Sequence, residues 1–127
     1  MSNERPRVLV ADDEMVMRMF IVSILAKMNC EVVGQACDGN EAVSMYREKK
    51  PDLLMMDINM PLKTGEEALK EIRAEFPDAR VIMLTSVIDS TTVENCVGLG
   101  AAGYIRKDSP VDEIKAIIND TLKAEKE

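Results

Sequence analysis

Apolar residues along this chain follow two alternating rhythms. Five short runs of aliphatic and β-branched residues, Arg7–Ala11, Glu31–Ala36, Leu53–Asp57, Arg80–Thr85 and Gly103–Ile105, read as strands. The stretches that follow them, Met15–Met28, Asn40–Lys49, Glu66–Phe76, Ser90–Leu99 and Val111–Ala124, carry apolar residues at helical spacing. A strand-then-helix unit therefore recurs five times, which predicts a parallel sheet with helices on both faces. The unbroken apolarity of Val8–Val10, Leu53–Met56 and Val81–Leu84 is what strands buried on both sides require. Pro51-Asp52 and Pro77-Asp78 close helices before strands, Ser109-Pro110 opens the last helix, and Gly39 and Gly65 read as flexible entries to theirs.

This pattern predicts an α/β doubly wound five-stranded parallel sheet in the flavodoxin-like order 2-1-3-4-5, with five helices on two faces. Strands 1 and 3 are then neighbours at the topological switch point, where ligands sit beyond the strands' carboxyl ends. A length of 127 residues fits one domain over 1–127, with a core over about 6–124 and no output domain. With 46% apolar and 31% charged residues and no bilayer-length apolar run, the expectation is a cytoplasmic protein without membrane contact. A net charge of −7 argues against direct nucleic-acid binding. Three cysteines without CxxC spacing suggest neither a disulfide framework nor a zinc site. The absence of histidine removes Ser-His-Asp and Cys-His catalysis.

Chemistry must then rest on carboxylates, hydroxyls and lysine, and these stand where the fold would place a site. Strand 1 runs into Asp12-Asp13-Glu14, strand 3 into Asp57-Ile58-Asn59, strand 4 into Thr85-Ser86 and strand 5 into Arg106-Lys107. Any one of them alone is more often a helix cap or a solvated strand end. Their joint occurrence at four strand ends points to a site. Converging Asp12, Asp13 and Asp57 would repel unless a cation compensates, and hard oxygen ligands suit Mg²⁺. Asp57 could then act as a nucleophile, with Lys107 neutralising an incoming phosphoryl group and Thr85 donating a hydrogen bond.

The sequence resembles the receiver domains of two-component response regulators, the stand-alone chemotaxis type most nearly. The resemblance rests on Val8-Leu9-Val10-Ala11-Asp12-Asp13, on Pro51 through Pro61 followed by Gly65, on Leu84-Thr85-Ser86, and on Gly100 through Lys107. It implies that Asp57 is the phosphoacceptor, that Asp12, Asp13, Asp57 and the Asn59 backbone carbonyl hold Mg²⁺, with Mn²⁺ able to substitute, and that Thr85 and Lys107 bind phosphoryl oxygens. It further implies that Tyr104 is the aromatic switch partner of Thr85, remodelling the helix 4, strand 5 and helix 5 surface. The implied partners are a sensor histidine kinase or a histidine phosphotransfer protein, and a downstream target protein. Two positions depart from the pattern. Asp108 replaces the proline that usually follows the lysine, which predicts a trans bond there, and Thr64 precedes Gly65 where an acidic or polar residue is common.

A haloacid-dehalogenase-like phosphatase would also use an Asp nucleophile, Mg²⁺, a Thr and a Lys. Its Asp belongs on the first strand, however, with an acidic residue two positions on, where this chain has Asn59. A flavodoxin-like nucleotide module would need a phosphate-cradling loop after strand 1, where Asp12-Asp13-Glu14 would repel. A degenerate receiver that only docks is disfavoured because all the phosphorylation residues are present. Val87, two residues after Thr85, predicts slow self-dephosphorylation, because an apolar branched side chain cannot orient water. In helix 1, a 100° step places Met17, Phe20, Ile21, Ile24, Leu25 and Met28 towards the sheet. Met15, Val16, Met19 and Val22 are left apolar where water is expected, a candidate partner surface.

Overall fold

The computed structural model describes residues 5–86 and 90–123. The strands are β1 (Arg7–Ala11), β2 (Glu31–Ala36), β3 (Leu53–Asp57), β4 (Val81–Thr85) and β5 (Gly103–Arg106). The helices are α1 (Met15–Lys27), α2 (Gly39–Lys49), α3 (Gly65–Glu75), α4 (Ser90–Gly98) and α5 (Val111–Lys123). All pairings are parallel and the order is β2-β1-β3-β4-β5, as the sequence pattern predicts.

Side chains of successive strand residues leave the sheet on opposite sides, and two cores result. Leu9, Leu54, Met56, Val81 and Met83 pack with residues of α2, α3 and α4 such as Tyr46, Leu69 and Cys96. Val8, Val10, Leu53, Met55, Ile82 and Leu84 pack with Ile21 and Leu25 of α1 and Ile114 and Ile118 of α5. β3 and β4 are buried along their whole length, which fixes their carboxyl ends rigidly. Cys30 and Cys96 are buried thiols and Cys37 is exposed; none forms a disulfide.

Gly39 and Gly65 are close-packing positions rather than flexible entries. A Cβ on Gly65 would lie 2.2 Å from the Asp57 carbonyl oxygen, and one on Gly39 would lie 2.1 Å from that of Lys63. The first turn of α3 therefore sits directly on the end of β3, with Gly65 N–H donating to the Ile58 carbonyl at 2.7 Å. Thr64, the departure from the family pattern, caps α3: Glu67 N–H donates to its Oγ1, and Thr64 N–H donates to Glu67 Oε1, a reciprocal capping box. Glu71 joins Lys63 of the β3–α3 loop to Arg47 of α2 through ion pairs.

Helix α1 is rotated relative to its predicted orientation. Ile21, Ile24 and Leu25 are buried as expected, but Phe20 is exposed and Val22 is half-buried against the α1/α5 core. Arg18, one turn before Val22, donates from Nε to Gln35 Oε1 on β2 at 3.3 Å. Arg18 and Val22 thus lie on the β2 side of the helix, and Phe20, on the opposite side, is exposed.

Candidate functional site

The backbone delivers four side chains to one place. Asp12 N–H donates to the Ala36 carbonyl, continuing the β1–β2 ladder by one residue, and Arg18 donates to the Asp12 carbonyl at 2.7 Å. Asp57 is the last residue of β3, paired with Leu84. Lys107 follows β5 and its N–H donates to the Thr85 carbonyl at 2.8 Å. Apart from the Arg18 guanidinium, these contacts are made by the backbone, and they gather the ends of β1, β3, β4 and β5.

Carboxylate oxygens of Asp12, Asp13 and Asp57 lie within 4.8 Å of one another. Asp12 and Asp57 are buried and Asp13 is exposed. Lys107 Nζ stands 2.9 Å from Asp12 Oδ2, 3.1 Å from Glu14 Oε1 and 3.2 Å from Asp57 Oδ2. Asp12 Oδ1 accepts from Glu14 N–H at 2.8 Å, whereas Oδ2 accepts no directed hydrogen bond and meets only the ammonium charge. Asp57 Oδ1 receives one long bond, 3.3 Å, from Asn59 N–H.

The electrostatics follow from that crowding. Burial, reinforced by the Asp12 charge and opposed by Lys107, pushes the Asp57 carboxyl up to about 6. Burial pulls Lys107 downwards, but its close contacts with the Asp12, Asp57 and Glu14 carboxylates outweigh this and hold it above the ordinary lysine value. One lysine thus serves three carboxylates, with a fourth, Asp13, beside them. A buried, under-bonded oxygen on Asp12 and a surplus of hard anionic donors fit a small divalent cation.

Residues 8–119 match the response regulator receiver domain family. The chain belongs to that family. The chemotaxis protein CheY of Bacillus subtilis is 41% identical over 116 residues, which cover 91% of this chain and 97% of that protein. Among solved structures, the response regulator domain of Thermotoga maritima CheB superposes with a TM-score of 0.87 at 34% identity, covering 96% of this chain and 99% of that one. The CheX–CheY–BeF₃–Mg²⁺ complex from Borrelia burgdorferi gives a TM-score of 0.89 at 26% identity, covering 93% and 90%. This receiver is accordingly a domain of the two-component response-regulator type, whose general function is that of a phosphoacceptor switch.

In this receiver Thr85 is buried at the end of β4, and Tyr104 is largely exposed on β5. Residue parity puts both on the α4 side of the sheet, since Ile105 packs on the α1/α5 side and Met83 on the other. The Lys107–Asp108 bond is trans, as expected, and Asp108 pairs with Arg106 at 2.9 Å. Val87 lies outside the described residues. Met15, Val16 and Met19 are exposed and, with Phe20, form the apolar face of α1 next to the site; Val22 is not part of it. Sequence reasoning gave Glu14 and Arg18 no role here. The signal for Glu14 was its place in the run Asp12-Asp13-Glu14, and for Arg18 its place among apolar residues in a helix whose other polar residues are Ser23 and Lys27.

Proposed function

We propose that this receiver takes a phosphoryl group from a phosphohistidine of a kinase or phosphotransfer protein onto Asp57. The observation that carries the reading is the buried Asp57 carboxylate, facing Asp12 and Asp13 and touched by Lys107. The Asp57 carboxylate oxygen attacks phosphorus, the donor's P–N bond breaks, and the departing imidazole keeps the electron pair and takes a proton. The carboxylates of Asp12, Asp13 and Asp57 and the Asn59 carbonyl would hold Mg²⁺, which neutralises charge on the transferring oxygens. Lys107 offsets the remaining charge and the Thr85 hydroxyl donates to a phosphoryl oxygen. Drawing Thr85 towards the phosphoryl group lets Tyr104 turn inward, changing the α4, β5 and α5 surface read by a target protein.

The apolar α1 face, Met15, Val16 and Met19 with Phe20 in place of Val22, supports docking of the donor's helices, because it lies beside the strand ends that carry the site. Intact mass after incubation with Mg²⁺ and acetyl phosphate tests the reading. One phosphoryl group is expected on the parent chain and none on Asp57→Asn; equal uptake by both would place the acceptor elsewhere.

A further inference from the structure

Before any phosphoryl group arrives, the Lys107 ammonium stands among three carboxylates, and its one directed side-chain hydrogen bond among the described residues goes to Glu14. An ammonium has three N–H donors, and its three near neighbours here are Asp12, Glu14 and Asp57. If the phosphoacceptor reading holds, an incoming phosphoryl oxygen must compete with them for the ammonium. Asp12 is wholly buried, would face Mg²⁺ in the loaded state, and meets Lys107 without a directed hydrogen bond. Asp57 is the group being modified. Glu14 differs from both: its side chain is 66% exposed while that of Lys107 is 11% exposed, so a released Glu14 is rehydrated at once.

Glu14 is also free to swing without disturbing the backbone. Its N–H is fixed by Asp12 Oδ1 and its carbonyl accepts from Arg18 N–H at 3.0 Å, while its carboxylate makes no capping bond to α1. The side chain therefore holds Lys107 and does not hold the helix. We propose that Glu14 is a positioning residue that competes with the phosphoryl group for the Lys107 ammonium, and so sets how tightly the loaded state is held.

The test uses the whole chain with Mg²⁺ and beryllofluoride, a phosphoryl mimic, titrated by calorimetry. Glu14→Gln keeps the length of the side chain and removes its charge, and is expected to tighten beryllofluoride binding by about fivefold, the scale of a half-exposed ion pair. NMR of the Lys107 side-chain CH₂ next to nitrogen supplies a readout that altered packing would not mimic. Glu14→Gln should move that signal in the free protein and leave it unchanged in the beryllofluoride-loaded protein, where the pair is already broken. Unchanged or weaker affinity, or a Lys107 shift of the same size in both states, would overturn the proposal. Failure of the parent chain itself to bind beryllofluoride would instead remove the phosphoacceptor reading, and this inference with it.

Discussion

At the scale of single residues, Asp57 carries a cost that pH exposes. Its carboxyl is raised from 3.8 to about 6 in the fold, so between those values the native state binds more protons than the unfolded chain. Stability of the metal-free protein should therefore fall as pH rises through that window and stay lower above it, by at most about 3 kcal/mol. Asp57→Asn removes the titration. Its thermal midpoint at pH 7.5 should exceed that of the parent, and its pH profile between 4 and 6.5 should be flatter; a lower midpoint at pH 7.5 would show that burial of this charge is not destabilising. Gly65 makes the opposite demand, for space. Gly65→Ala places a methyl group against the Asp57 carbonyl and should lower stability by about 2–3 kcal/mol in urea titrations, while separating α3 from the strand end that presents Asp57.

At the scale of elements, α1 separates what periodicity can and cannot tell. A 100° step correctly buries Ile21, Ile24 and Leu25, because those residues face the sheet in any helix that packs on it. The flanks depend on which neighbour the helix leans on, and no local pattern encodes the packing that half-buries Val22 or the Arg18–Gln35 bond on the same side. Met19→Glu should accordingly change stability by no more than about 0.5 kcal/mol, whereas Val22→Glu should cost about 1–2 kcal/mol. If Met19 helps dock a phosphodonor, its variant should also slow transfer from a histidine-containing partner while acetyl phosphate modification stays normal. Strands were more legible than helix flanks. Burial on both faces leaves β3 and β4 so apolar that their limits, and the polar residues ending them, stand out in sequence. Acidic residues at strand ends could be read as a cluster, but the choice of Lys107 contacts could not, since Glu14 reaches Lys107 only through the distance between two loops that the sheet brings together.

At the scale of the whole molecule, the site joins strands that are distant in sequence, so binding there should stabilise the fold globally. Mg²⁺ at tenfold its dissociation constant should add about 1.4 kcal/mol, visible as a raised thermal midpoint that is lost in Asp57→Asn. An unchanged midpoint in millimolar Mg²⁺ would argue against a cation among Asp12, Asp13 and Asp57. The β1–β3 pairing also has a kinetic consequence. Val8 meets Leu53 only after the chain has passed through α1, β2 and α2, and such non-local pairings carry loop-closure entropy that must be met before contacts form. If Asp12 and Asp57 come together only after the folding barrier, the transition state has no complete ion site. Mg²⁺ should then act as a brake on unfolding: the unfolding arm of a denaturant chevron should slow while the folding arm stays where it was. The charged cluster that weakens the empty fold at equilibrium would, once filled, lengthen the lifetime of the native state.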